Sequence, residues 1–213
     1  MTASPEVNLW SSAEHALDYL RRADTVPHRV EGEATLLEFI PASPRRVLDL
    51  GSGAGRLLAL VKAARPRAEF VALDFSPAML AELERLFGKD RGVTVVAHDL
   101  DQPLPPLGRF DAVISSFAIH HVRDERKRQI YAEVFAMLEP GGVFCNLEHV
   151  ASPTPKLHLA FFEALAWEDD PSNKLLDVET QLGWLGEIGF AEVDCHWKWR
   201  ELALFAGVKP LQG

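Results

Sequence analysis

The stretch that decides the fold is Val47-Leu48-Asp49-Leu50-Gly51-Ser52-Gly53-Ala54-Gly55. A short apolar run ends in a turn with glycine at alternate positions, and Arg56-Leu57-Leu58 opens a helical pattern directly after it. Glycine lets the backbone turn tightly and come close to a ligand, while the free N–H groups of a helix start favour an anionic or polar group. The dinucleotide fingerprint G-x-G-x-x-G needs glycine at position 56, where Arg56 stands. The spacing here is G-x-G-x-G.

From residue 46 onward, short apolar runs alternate with helical stretches, the pattern of repeated βαβ units and a mostly parallel sheet. Strands are expected over 46–50, 69–73, 93–97, 110–115 and 142–148. Helices are expected over 55–64, 77–87 and 124–138, with Ser76 as an N-cap, Pro77 at the first helical position and Gly88 after the end. Upstream, Ser11 and Glu14 make a capping-box pattern for a helix to about Arg22, and a second helix spans 30–40 and stops at Pro41. Downstream, an insertion over 151–177 precedes a helix over 178–188 closed by Gly189. The runs 191–197 and 201–208 are too close for a crossover and pair as an antiparallel hairpin.

With 213 residues, 47% hydrophobic and 25% charged, the chain can bury one substantial core, and one domain is expected. The formal net charge of -9 argues against a DNA or RNA partner, which is held through clustered Lys and Arg. No apolar run reaches about 18 residues, and Met1 to Trp10 lacks the layout of a signal peptide, so no membrane association and a cytoplasmic location are expected. Cys145 and Cys195 sit in apolar or β-favouring runs and read as reduced, buried thiols.

Two acids extend the glycine turn into a site. Asp74 ends the second expected strand, roughly 20 residues beyond the turn, where a carboxylate accepts from both hydroxyls of a ribose. In His98-Asp99-Leu100, past the third strand, Asp99 can accept from an exocyclic amine and the Leu100 N–H can donate to a ring nitrogen. Turn, ribose acid and amine-reading acid at three successive strand ends describe an adenosine site at the carboxyl edge of a sheet.

Asp49-x-Gly51-x-Gly53-x-Gly55, Asp74, Asp99, Phe110-Asp111-Ala112-Val113 and Leu138-Glu139-Pro140-Gly141-Gly142 resemble, in order and spacing, the motif series of class I S-adenosylmethionine-dependent methyltransferases. The likeness covers about residues 45–149. It implies a Rossmann-like three-layer α/β sandwich with a seven-stranded, mostly parallel sheet of order 3-2-1-4-5-7-6, an antiparallel last strand, and S-adenosylmethionine as methyl donor to a small molecule. It further implies N-terminal helices over 1–41 as a lid, a cofactor core over 45–149, an acceptor-side insertion over 151–177, and a helix and hairpin over 178–213.

By the same resemblance the cofactor residues are Asp49, Gly51, Ser52, Gly53, Gly55, Asp74, Phe75, Met79, Asp99, Leu100 and Ser115. Asp49 and the glycines lie near the methionine part, Phe75 and Met79 flank the adenine, and Ser115 approaches the methionine amine. Ala54 departs from the polar or acidic residue of many relatives.

The implied order makes the fourth and fifth strands neighbours, which brings His120-His121 and Glu148-His149 together. These histidines read either as satisfied buried side chains or as catalytic ones, with His121 favoured as base over His120 and His149, and with Glu148 orienting a ring. Tyr19 and His28 on the lid, Glu148 and Trp199 complete the expected acceptor site, whereas Trp167, Trp184 and Trp197 read as packing. Neither histidine pair has a metal-ligand spacing, so no metal is expected. Two other readings are a nicotinamide-dependent oxidoreductase, disfavoured by Arg56 and the hairpin, and a nucleotide-binding module or an enzyme that uses S-adenosylmethionine for other chemistry.

Overall fold

The computed structural model describes residues 9–211; residues 1–8 and 212–213, and with them the ends of the expected N- and C-terminal segments, lie outside the described residues. Two N-terminal helices, α1 (Ala13–Arg22) and α2 (Arg29–Phe39), precede β1 (Arg46–Leu50), α3 (Arg56–Ala64), β2 (Glu69–Asp74), α4 (Pro77–Phe87) and β3 (Val93–Ala97). The chain continues through β4 (Phe110–Ser116), α5 (Asp124–Met137), β5 (Leu138–His149), α6 (Pro155–Leu165) and α7 (Val178–Ile188). It closes with β6 (Ala191–Trp199) and β7 (Leu202–Val208). Short 3-10 turns occupy Leu9–Ser11, Ala23–Thr25 and Ile119–His121.

The sheet order is β3-β2-β1-β4-β5-β7-β6, as the motif series implied. Strands β1 to β5 pair in parallel, and β7 runs antiparallel to both of its neighbours. Apolar residues alternate along each central strand, so both faces of the sheet are covered. Leu48, Leu50, Val113 and Phe144 pack on one face with Ile130 and Tyr131 of α5 and Leu185 of α7. Val47, Ala72, Ile114 and Cys145 pack on the other with Leu36 of α2, Leu58 and Val61 of α3 and Leu83 of α4. Each such fully buried Leu, Ile or Phe contributes about 1.5–3 kcal/mol, which makes the sheet a rigid platform for the loops at its carboxyl edge.

Three local readings change. The first helix is capped by Ser12, whose Oγ accepts the His15 N–H; the side chain of Ser11, the expected cap, lies outside the described residues. Ser76 does precede Pro77 at the start of α4, but its hydroxyl makes no capping bond. Helix α6 lies within the insertion, where no element was expected; Thr154 caps it through the Leu157 N–H, and Pro155 supplies the fixed φ of a first helical residue.

Candidate functional site

Two cavities open at the carboxyl edge. The inner one, about 120 Å³, is lined by Gly51, Ser52 and Gly53 of the turn after β1, by Asp74, Phe75 and Met79 after β2, and by Asp99 and Leu100 after β3. The outer one, about 500 Å³, is lined by His120, His121 and His149, by α1, and by aromatic and acidic residues of the insertion. Trp10, Tyr19, Phe117 and His121 belong to both.

In the inner cavity Asp74 accepts the Gly53 N–H at 2.8 Å through Oδ2 and the Ser76 N–H at 2.9 Å through Oδ1. Burial pushes its carboxyl up, and these backbone donors pull it back. A Cβ on Gly53 would find nothing nearer than Met79 Sδ at 4.0 Å, so here the turn offers bare backbone to the cavity, at a φ of +55° that suits glycine. A Cβ on Gly51 would lie 2.2 Å from that of Ala118, so this glycine is needed for two loops to touch. Asp99 accepts the Asp101 N–H at 3.0 Å. Its loop is held by Arg126 of α5, which donates to Leu100 O at 2.7 Å and Gln102 O at 2.6 Å.

Three expected cofactor residues stand apart from this lining. Gly55 packs instead, since a Cβ there would meet Phe87 at 2.6 Å and Leu83 at 2.9 Å, both on α4. The Ser115 hydroxyl donates to Leu50 O at 2.9 Å, and the next residue, Ser116, lines the cavity with a buried Oγ that has no partner. Asp49 is 1% exposed and outside the lining, with both carboxylate oxygens unpartnered. Burial pushes its carboxyl up to about 7.

The N-terminal helices reach the same edge. Arg29, buried, donates to Glu33 Oε1 at 2.8 Å and to Tyr19 Oη at 3.2 Å, and its guanidinium lies 5.0 Å from the centre of the Phe117 ring. Arg56, at the position that excluded the dinucleotide fingerprint, holds Glu33 at 2.7 and 2.8 Å and also engages Asp24. Burial alone would raise Glu33, but its bonds to Arg56 and Arg29 keep it below the usual carboxylate range. Of the expected acceptor residues, Tyr19 lines both cavities, whereas His28 and Trp199 line neither. Those two rings stack on each other 4.7 Å apart, because His28 turns outward toward Glu31 at 3.0 Å. Trp167, expected to be packing, lines the outer cavity.

The histidines are brought together, each on a different partner. His120 Nδ1 meets Glu148 Oε1, and Glu148 lies behind the ring rather than in the cavity wall; burial pushes its carboxyl up to about 7. His149 Nε2 meets Glu201 Oε2 at 2.8 Å, and His158 Nδ1 meets Glu201 Oε1 at 3.0 Å. His121 Nδ1 meets Ser172 Oγ at 3.2 Å, while its Nε2 is buried with no partner. Burial, reinforced by the neighbouring rings, pushes His120 and His121 well below the usual imidazole value, so both are neutral at pH 7. The insertion grips their 3-10 turn: Lys174 N donates to His120 O at 2.8 Å and Lys174 Nζ to His121 O at 2.7 Å. Lys127 Nζ, on a buried side chain, in turn reaches Val122 O at 2.8 Å and Lys174 O at 2.5 Å.

Sequence reasoning missed Trp10, Ser116, Phe117, Arg126, Glu201 and His158. A lone acid opening the apolar run Glu201-Leu202-Ala203-Leu204 was the one available signal, since a carboxylate entering a buried strand needs a partner. Among the described residues no group of three or more His, Cys, Asp or Glu is arranged to hold a metal ion, and no helix is long and apolar enough to cross a membrane.

A methyltransferase-domain family matches residues 47–142. A demethylmenaquinone methyltransferase of Clavibacter sepedonicus is 33% identical over 201 residues, 83% of this chain and 78% of that protein. Another, from Thermus thermophilus, is 39% identical over 116 residues; the match takes in 54% of this chain and only half the length of that relative. Among solved structures, an O-methyltransferase family protein from Burkholderia thailandensis superposes with a TM-score of 0.76 at 18% identity, over 96% of this chain and 62% of that one. The fold, the motif order and these relatives agree, and they remove the oxidoreductase reading: the chain belongs to the class I S-adenosylmethionine-dependent methyltransferases.

Proposed function

We propose that this chain transfers the methyl group of S-adenosylmethionine to a small organic acceptor held in the outer cavity. The observation that carries the reading is the junction, where a small cavity built from the cofactor motifs adjoins a larger one across Trp10, Tyr19, Phe117 and His121. The residues present fit the cofactor. Asp74 and Asp99 would take the ribose and the adenine amine, bare backbone at Gly53 would face the ligand, and the unpartnered Ser116 Oγ would accept from the methionine amine, with the buried Asp49 carboxylate adding negative charge from outside the lining.

When bound, S-adenosylmethionine supplies a methyl group on a positively charged sulfur, already a strong electrophile. The chain's task is then to orient an acceptor, exclude water and remove a proton where the nucleophile arrives protonated. His121 is suited to that last role: its Nε2 is unpartnered at the junction, its Nδ1 is tied to Ser172, and its burial keeps it neutral. His120 and His149, backed by Glu148 and Glu201, form the adjoining polar wall. Residues 1–213 would act as one domain, with α1 and α2 as a lid whose Tyr19 touches both cavities, and with the insertion completing the acceptor side. The free thiols of Cys145 and Cys195 are consistent with work in the reducing cytoplasm.

The test is turnover of a metabolite extract with a methyl donor carrying an isotopic label. A labelled small-molecule product that requires Asp74 supports the proposal. Tight S-adenosylmethionine binding with no methyl transfer to any fraction would favour a binding module instead.

A further inference from the structure

The outer cavity is rich in aromatic side chains, and carboxylates outnumber cations in its lining. Trp10, Phe161, Phe162 and Trp167 line it. Around them stand Asp18, Glu168, Asp169 and Asp170. Among the described lining residues Arg22 is the one Lys or Arg: its Nη2 pairs with Asp18 at 2.5 Å and its guanidinium lies over the Trp167 ring at 4.9 Å, while its Nε has no partner. Two imidazoles offset part of this charge, His15 Nε2 standing 3.3 Å from Asp170 and His158 Nε2 3.3 Å from Asp169, but those of the floor add nothing to it. His120 and His121 are held neutral by burial, and His149 leans on the buried carboxylate of Glu201. Asp170 is held below the usual carboxylate range by the Ser172 N–H at 2.8 Å despite its partial burial, so it is ionised at pH 7.

We propose that the acceptor is an aromatic or similarly flat molecule bearing an ammonium group, and that carboxylates and phosphates are excluded. This rests on the methyltransferase reading and narrows its substrate class. An anionic acceptor would enter a partly desolvated cavity whose four carboxylates outnumber its one guanidinium, itself paired with Asp18, whereas an ammonium group gains both the carboxylates and the aromatic side chains. Discrimination by repulsion is as effective as discrimination by attraction.

Three probes of one shape separate charge from fit: tryptamine, 3-methylindole and indole-3-acetate, titrated calorimetrically at low salt into protein saturated with S-adenosylhomocysteine. The expected order is tryptamine tightest, 3-methylindole next and indole-3-acetate weakest, with about tenfold or more between the extremes. In the D169N/D170N variant the gap should shrink several-fold while S-adenosylhomocysteine affinity stays at the wild-type value. Indole-3-acetate binding as well as tryptamine, no binding by any of the three, or an unchanged gap in the variant would each overturn the proposal. Failure of S-adenosylhomocysteine itself to bind would instead sink the methyltransferase reading on which it rests.

Discussion

Gly53 N and Asp74 Oδ2 stand 2.8 Å apart, so the acid at the end of β2 is hydrogen-bonded to the turn that follows β1. One carboxylate therefore shapes the glycine turn and faces the cavity. Asp74→Ala should weaken S-adenosylmethionine binding by roughly 1–3 kcal/mol, about tenfold or more in dissociation constant. Calorimetry measures this, and an unchanged constant in a folded variant would refute the ribose assignment.

The two cavity glycines should fail differently. Gly53→Val places a branched side chain into open cavity, so cofactor binding is abolished while the protein still folds, with about 1–2 kcal/mol lost to the left-handed backbone. Gly51→Ala drives a methyl into Ala118 and should lower the melting temperature further than Gly53→Val does, although the added group is smaller. The reverse ranking in thermal melts would show that the turn faces elsewhere.

His121→Ala should lower turnover by about 100-fold or more while S-adenosylhomocysteine affinity stays near wild type. With the acceptor in hand, the base assignment fails if His120→Ala, His121→Ala and His149→Ala all keep normal turnover and acceptor affinity. Activity lost on chelation and restored by a divalent ion would mark the cluster as a metal site.

Asp49 makes ligand-free stability depend on pH. Its carboxyl is raised from 3.8 to about 7 by burial, so its contribution is fully present below pH 3.8 and is lost as pH rises through about 7. Asp49→Asn removes the buried charge and should raise the ligand-free melting temperature at pH 8 by several degrees, a gain that shrinks toward pH 4. The same variant should bind S-adenosylmethionine more weakly. A pH-independent difference between the two melting curves would contradict this account.

The sheet order was legible because each strand carries its own period and each strand end its own motif residue. Asp74, Asp99 and the glycine turn then follow from chain position alone. Ser116 rather than Ser115 lines the cavity because one step along a strand swaps faces, and which of the two does so depends on where β4 leaves the sheet. His28 and Trp199 lie outside both cavities because His28 sits in a turn with left-handed backbone and Trp199 ends β6 just before the left-handed Arg200, bends that no residue pattern announces. The pairing of Glu201 with His149 and His158 joins residues 52 and 43 positions apart and rests on where α6 settles.

Lys174 ties the insertion to the turn carrying His120 and His121, and Lys127 anchors that tie to α5. A substitution in the insertion that reshapes the outer cavity therefore also moves the imidazoles beneath it. On the proposed reading, acceptor preference and reaction rate are for this reason coupled in this chain. Paired changes at the insertion and at the histidine turn should therefore be non-additive in both acceptor affinity and turnover.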